Sequence, residues 1–131
     1  MSLRQPTFRW ISKAVIATAM LAVLIACGDP KYQPPAIAVA FSTEYPPPTA
    51  LGASVTAGIA AVVSNDTKNA GVNFTCVPVE QCGTFAPSPI ASNVPTTYQA
   101  PPTVPAGGTV TITATSITDA TKSISATITI D

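Results

Sequence analysis

Histidine is absent from this chain of 131 residues, and charged residues make up only 9% of it. Without histidine, the Ser-His-Asp arrangement and the commonest general base of enzymes are excluded. Zinc also loses a preferred nitrogen ligand. The acidic residues that could form a glycosidase-like carboxylate pair, Glu44, Asp66, Glu80 and Asp119, are far apart in sequence. We therefore expect no catalytic residue, no metal site and no cofactor.

Basic residues are equally scarce beyond position 26, where arginine is absent and lysine occurs only as Lys31, Lys68 and Lys122. Six carboxylates oppose these three lysines, which gives a side-chain charge of −3. Such a chain lacks the positive surface that nucleic acid requires, and it has no polybasic patch for anionic lipid. The sequence therefore predicts no nucleic-acid partner.

The first 26 residues have a different pattern. Arg4, Arg9 and Lys13 precede an apolar run over residues 14–26, which is interrupted only by Thr18. A basic start followed by a short apolar run is typical of a secretory signal peptide. The run is shorter than the roughly 20 residues that a spanning helix needs. We interpret residues 1–26 as an export signal.

The end of this run, Leu24-Ile25-Ala26-Cys27, resembles the lipobox of bacterial lipoproteins. The resemblance implies that the Cys27 thiol accepts a diacylglyceryl group, that cleavage falls between Ala26 and Cys27, and that acyl chains such as palmitate anchor the product. Gly28 at the next position favours the outer membrane over inner-membrane retention, if the source has both. We expect a lipid-anchored protein of the cell membrane or outer membrane, with its domain exported to the periplasm or cell surface.

Two cysteines remain after Cys27, and both lie in the exported part. Cys76 and Cys82 predict one disulfide, because paired cysteines in exported chains are usually oxidised. The alternative is a metal pair, for which no histidine, further cysteine or nearby acidic cluster supplies the other ligands.

Proline-rich residues 27–35 predict a short extended tether. Beyond it, period-two alternation and turn residues predict an antiparallel β-sandwich of about seven short strands over residues 36–131. Predicted strands lie near residues 37–41, 57–64, 72–76 and 96–101, with residues 51–55 along a sheet edge and residues 78–89 irregular. The clearest alternation is in Thr109–Ser116 and Ser123–Ile130, which place aliphatic side chains on one face and hydroxyls on the other.

Several segments also resemble bacterial Ig-like repeats of the group 2 type: 64–72, Cys82-Gly83-Thr84-Phe85, Thr97–Pro101, 105–116 and 119–123. The resemblance covers about residues 36–131. It implies an Ig-like sandwich on a surface protein, used as a spacer or adhesive module. Family members often carry tryptophan where this chain has Phe74, so the resemblance implies that Phe74 lies in the core.

Two binding interpretations stand beside simpler ones. The oxygens of residues 65–69 could ligate Ca²⁺, although Asn and Asp in such a turn usually cap their own backbone. Tyr32, Tyr45 and Tyr98 could form a platform for a glycan, although Tyr98 suits the core. The resulting hypothesis is a non-catalytic, lipid-anchored envelope protein with structural or protein-interaction roles; the alternative is a carbohydrate- or matrix-binding adhesin module.

Overall fold

The computed structural model describes residues 31–131, so the predicted signal peptide, its cleavage site at Ala26 and the lipidation site Cys27 lie outside the described residues. Pro34–Asp131 forms one compact unit. No helix occurs in the described part, and nine strands make up its regular structure. These are β1 (Ala38–Phe41), β2 (Ala50–Leu51), β3 (Thr56–Ile59), β4 (Ala61–Ser64), β5 (Val72–Val77), β6 (Thr84–Ala86), β7 (Thr96–Gln99), β8 (Thr109–Ser116) and β9 (Ser123–Ile130).

The strands form three sheets: β1–β4, β2–β9–β8–β5 and β3–β7–β6. All pairings are antiparallel except that of β2 with β9. Strand β1 also packs against β8 and β9 of the four-stranded sheet. The all-β, sandwich-like class predicted from the alternation is therefore confirmed.

The hairpin β8–β9 has the strand bounds that the sequence predicts. Val110, Ile112 and Ala114 are buried on one face, while the threonines between them point to the other. Ile128 and Ile130 are buried in the same core. Burying a large aliphatic side chain contributes about 1.5–3 kcal/mol, so this hairpin supplies much of the core.

Two strand predictions are wrong. Correcting them raises the number of strands from the predicted seven or so to the nine observed. Residues 57–64 do not form one strand but two, because the backbone of Ala60 bonds to the β1–β2 connection instead of continuing along β7. The Ala60 N–H donates to the Tyr45 carbonyl at 2.9 Å, and its carbonyl accepts from Ser42 N–H at 2.9 Å. The chain thereby passes from the β3–β7–β6 sheet to the β1–β4 sheet.

The second error concerns residues 78–89, which were predicted to be irregular but contain β6. Prolines at 78, 87 and 89 hide the signal of a strand only three residues long. Its partner is β7, with Phe85 opposite Tyr98. The predicted edge segment 51–55 is confirmed only at its start, where Ala50–Leu51 pairs with the end of β9.

Candidate functional site

Cys76 and Cys82 form a disulfide with their Cα atoms 5.7 Å apart, as the sequence predicts. The bond joins the end of β5 to the residues just before β6, and so links the edge strands of two different sheets. Cys82 is buried, whereas Val79 at the tip of the closed loop is 80% exposed. We call residues Cys76–Pro89 the disulfide segment.

A row of three aromatic rings extends from β5 to β7, with Phe85 of the disulfide segment at its centre. The Phe74 and Phe85 rings stack with centroids 5.3 Å apart, and the Phe85 and Tyr98 centroids are 5.0 Å apart. Such pairs contribute about 0.5–1.5 kcal/mol beyond their buried area. Phe74 is 4% exposed, so its expected core position is confirmed.

Tyr98 lies in the core and cannot be part of the surface platform considered for a glycan. Its ring is fully buried, and its hydroxyl donates a hydrogen bond of 2.6 Å to the Cys82 carbonyl. Burial raises the pKa of the Tyr98 phenol, since the phenolate would lose its hydration. The three tyrosines therefore cannot form the predicted glycan platform, because residue 98 is at an inward-facing position of β7. Tyr32 and Tyr45 do remain exposed.

Gly83 allows the disulfide segment to lie close to β7. Its φ of +91° is one that L side chains rarely adopt, and a Cβ atom there would collide with the Gln99 carbonyl oxygen. The same close approach lets Tyr98 reach the Cys82 carbonyl. Gly83, which directly follows Cys82, therefore allows the start of β6 to pack closely against β7.

An open groove of about 410 Å³ lies between β5 and β6. Its sides come from the edges of two sheets, with the disulfide at one end and Val79 beside it. The lining residues are Phe74, Thr75, Cys76, Val79, Cys82, Gly83, Thr84, Phe85 and Ser88. Sequence reasoning missed this groove, because it depends on β6 and on the meeting of two edges that no local pattern reports.

A smaller cavity of about 220 Å³ shares the lining residues Gly83 and Thr84 with the groove. It is lined by uncharged residues of the β2–β3 connection, β6 and the end of β7: Ser54, Gly83, Thr84, Gln99, Ala100, Pro101 and Pro102. It has no ionisable group in its lining, so it offers shape but no acid–base chemistry.

The turn that contains residues 65–69 is built on Asp66, which supports the capping interpretation over calcium. The Asp66 carboxylate accepts hydrogen bonds of 3.0 Å from the N–H groups of Lys68 and Ala70. Partial desolvation raises its pKa, but the Thr118 hydroxyl and the backbone N–H groups outweigh this and lower it overall. Thr118 Oγ1 nevertheless lies outside good hydrogen-bonding geometry, so we assign most of the lowering to the backbone donors.

Asp119 performs the same role in the β8–β9 turn. Its Oδ1 accepts from the Thr121 hydroxyl at 2.6 Å and from the Thr121 N–H at 3.0 Å. These two bonds, with a smaller contribution from nearby Lys122, lower the pKa of Asp119. Within residues 31–131, no three His, Cys, Asp or Glu side chains come together as a metal would require.

The outer face of β8–β9 carries only hydroxyl side chains, opposed in pairs across the hairpin. We call it the hydroxyl face; the pairs are Thr109 with Thr129, Thr111 with Thr127, Thr113 with Ser125 and Thr115 with Ser123. The Thr113 and Ser125 hydroxyls lie 2.8 Å apart and share a hydrogen bond. The face is uncharged, and part of its hydrogen-bonding capacity is satisfied internally.

Comparisons with known proteins found no matching family model, no matching curated protein and no matching solved structure. Among the described residues, there is no helix with the length and apolar character needed to cross a membrane. The candidate site consequently rests on the geometry of the disulfide segment and its groove.

Proposed function

We propose that this chain is an exported, lipid-anchored cell-envelope protein that displays an Ig-like β-sandwich domain. Its role is structural or lies in protein–protein interaction, without catalysis. The observation that carries the proposal is the disulfide segment, which presents exposed Val77 and Val79 beside a groove. Exposed apolar side chains grouped in this way are typical of interaction sites.

The anchor is supported by the residues that end the apolar run, Leu24-Ile25-Ala26-Cys27, and by the basic start before them. Each buried CH₂ of an acyl chain contributes about 0.8 kcal/mol, and two or more chains hold a protein stably at a membrane. Since the exported part has only three lysines, the lipid must supply the attachment. Anchoring would hold the domain at the envelope, where its groove meets other envelope proteins.

The chemistry of the described side chains also supports display over catalysis. The two carboxylates with lowered pKa, Asp66 and Asp119, are engaged by the backbones of their own turns. The phenol of Tyr98 is buried and bonded to a carbonyl. These groups are used to hold turns and strands in place. The Ig-like assignment is supported by buried Phe74 at the expected core position.

Substitution of the lipobox cysteine tests the proposal. In cells fed labelled palmitate, the wild-type chain should incorporate label and Cys27→Ser should not. The matched control is the double variant Cys76→Ser/Cys82→Ser, which removes the other cysteines and should be labelled normally. Label on Cys27→Ser equal to that on the wild type would refute the anchor.

The hydroxyl face favours a second candidate, a carbohydrate- or matrix-binding adhesin module. Its paired threonines and serines are uncharged and can both donate and accept hydrogen bonds, as neutral sugars do. A glycan array with the purified chain should show binding that Thr113→Val/Thr127→Val abolishes. Binding unchanged by these substitutions, or no binding at all, would leave the first candidate alone.

A further inference from the structure

We propose that the groove between β5 and β6 binds an extended, mostly apolar peptide segment of a partner protein, with a basic residue near one end of that segment. The inference rests on the proposed interaction function and names the chemistry of the partner. It is carried by three features of the groove: an open strand edge, an apolar lining and a single charge beside its rim.

The open edge is that of β6. On β7, the Ala100 N–H donates to the Val55 carbonyl at 2.9 Å, on the side of β3. Because successive residues of a strand alternate in direction, Gln99 and Thr97 bond towards β6, where their partners are Thr84 and Ala86. Phe85 lies between those partners. Its N–H and carbonyl therefore point away from β7, into the groove.

The facing edge of β5 is partly covered. Val72 exchanges backbone hydrogen bonds of 2.8 and 2.9 Å with Ile90, and the Phe74 N–H donates to the Ser88 hydroxyl at 3.0 Å. By the same alternation, the backbone groups of Cys76 also point outward, beyond the segment that covers Val72 and Phe74. A single extended segment lying on β6 would pass between Phe85 and Cys76.

The walls of the groove suit alternate apolar side chains of such a segment. Phe74 and Phe85 form part of its surface, and Val79 rises beside it with 80% of its own surface exposed. The disulfide holds the Val79 loop in place before binding, which lowers the entropy that a partner must overcome. Addition of a strand to an open edge, with pockets for alternate side chains, is a common mode of peptide recognition.

Charge selects one end of the peptide. None of the residues lining the groove is ionisable, and the neighbour of Val79 is exposed Glu80. Lys68 and Lys122 lie in the β4–β5 and β8–β9 turns, at the Val72–Ser116 end of the sheet, whereas the groove reaches the Cys76 end. A basic residue of the partner therefore meets Glu80 without competition from those lysines.

The probe is a fluorescein-labelled peptide, Lys-Val-Thr-Val-Thr-Val, titrated with the full chain in detergent and followed by fluorescence anisotropy. Two matched peptides carry N-methyl groups on all valines or on all threonines. Only one of these sets faces β6, so one peptide should lose at least about fivefold in affinity, and the other, whose N–H groups face the partly covered edge of β5, should lose distinctly less. Equal behaviour of the two N-methylated peptides, or no binding of the parent, overturns the proposal.

Chain variants locate the binding. Val79→Thr should weaken binding of the parent peptide about fivefold, because a hydroxyl replaces a methyl group that the bound peptide would cover. Val104→Thr, on another exposed valine, should leave binding unchanged. Glu80→Gln should weaken it about two- to threefold, as expected for an exposed ion pair. Equal loss in Val79→Thr and Val104→Thr overturns the assignment to the groove.

A second copy of the chain is the competing occupant. Sedimentation of the chain alone distinguishes it, since a dimer that Val79→Thr converts to monomer would show self-association at this edge and overturn the peptide proposal. A monomer is the expected result. Palmitate labelling at Cys27 tests the lipid anchor, whereas peptide binding and sedimentation test the groove. Because the two sets of results are independent, either proposal can fail without the other.

Discussion

The β8–β9 hairpin and the disulfide segment, which runs from the end of β5 through β6, are held in place by different means. The hairpin is regular, with every second side chain in the core and hydroxyls outside. The disulfide segment has one strand of three residues, and its position depends on a covalent bond, a glycine and one buried hydroxyl. The hairpin serves as scaffold, while the segment leaves an edge and two valines open to a partner.

The largest expected effect is in the hairpin core. Ile112 is fully buried, and Ile112→Ala should lower the free energy of unfolding by about 2–5 kcal/mol, because it removes buried methyl groups and leaves a cavity. Urea unfolding followed by circular dichroism measures it. Thr113→Ala on the opposite face is the control and should cost much less. Equal losses of unfolding free energy in the two variants would contradict the assignment of Ile112 to the buried face and Thr113 to the outer face.

Gly83→Ala tests how the disulfide segment is positioned. We expect a loss of at least about 1–3 kcal/mol, since alanine at a φ of +91° is strained and its Cβ would collide with the Gln99 carbonyl. Gly107→Ala is the matched control, because no atom lies within 4 Å of a Cβ at that glycine. Similar unfolding midpoints for the two variants would show that the close approach to β7 is unimportant.

These two sites also show how far sequence reasoning reaches. Ile112 is predictable, because alternation in a long strand specifies which face is buried. The Gly83 contact is not, because it depends on how β6 meets β7, and β6 is hidden among prolines. The division of residues 57–64 into two strands at Ala60 is equally unpredictable from the sequence. An alanine is as compatible with one continuous strand as with a chain that passes from one sheet to another. The disulfide is predictable from the number of cysteines and the predicted export signal, but the groove beside it is not.

Loss of the disulfide should lower the free energy of unfolding by an amount comparable to that of Gly83→Ala. Its loop is short, and the chain-entropy model gives about 2 kcal/mol for Cys76→Ser/Cys82→Ser. Reduction of the wild type should produce a similar shift in urea midpoint, and adding reductant to the double variant should produce none. A loss well above the effect of Gly83→Ala would mean that the bond, and not packing, holds the segment.

Tyr98→Phe removes only the hydroxyl that bonds to the Cys82 carbonyl. A buried carbonyl without its partner costs about 1–3 kcal/mol, so the loss should be of the same order as that of the disulfide. Thermal unfolding measures the change, with Tyr32→Phe, at a residue 87% exposed, as control. An unchanged melting temperature would show that Cys82 finds another donor.

The smallest effect concerns pH and comes from Asp66, in the turn between β4 and β5. The folded-state pKa of Asp66 is below its ordinary value, so its contribution is present above the unfolded pKa and is lost as pH falls through the folded pKa. Asp66→Asn should therefore be less stable than the wild type at pH 7, with the difference shrinking below about pH 4. Unfolding midpoints across this range measure it. A constant difference would contradict the role of the charged carboxylate.

The most direct test of the account places a photoreactive amino acid at Val79 in one variant and at Ser125 in another, both exposed positions, in living cells. Irradiation followed by mass spectrometry shows which position contacts another protein. If a partner docks at the groove, Val79 should form adducts with an extended apolar segment of that partner, and Ser125 on the hydroxyl face should form none. Adducts from Ser125 with none from Val79 would contradict docking at the groove.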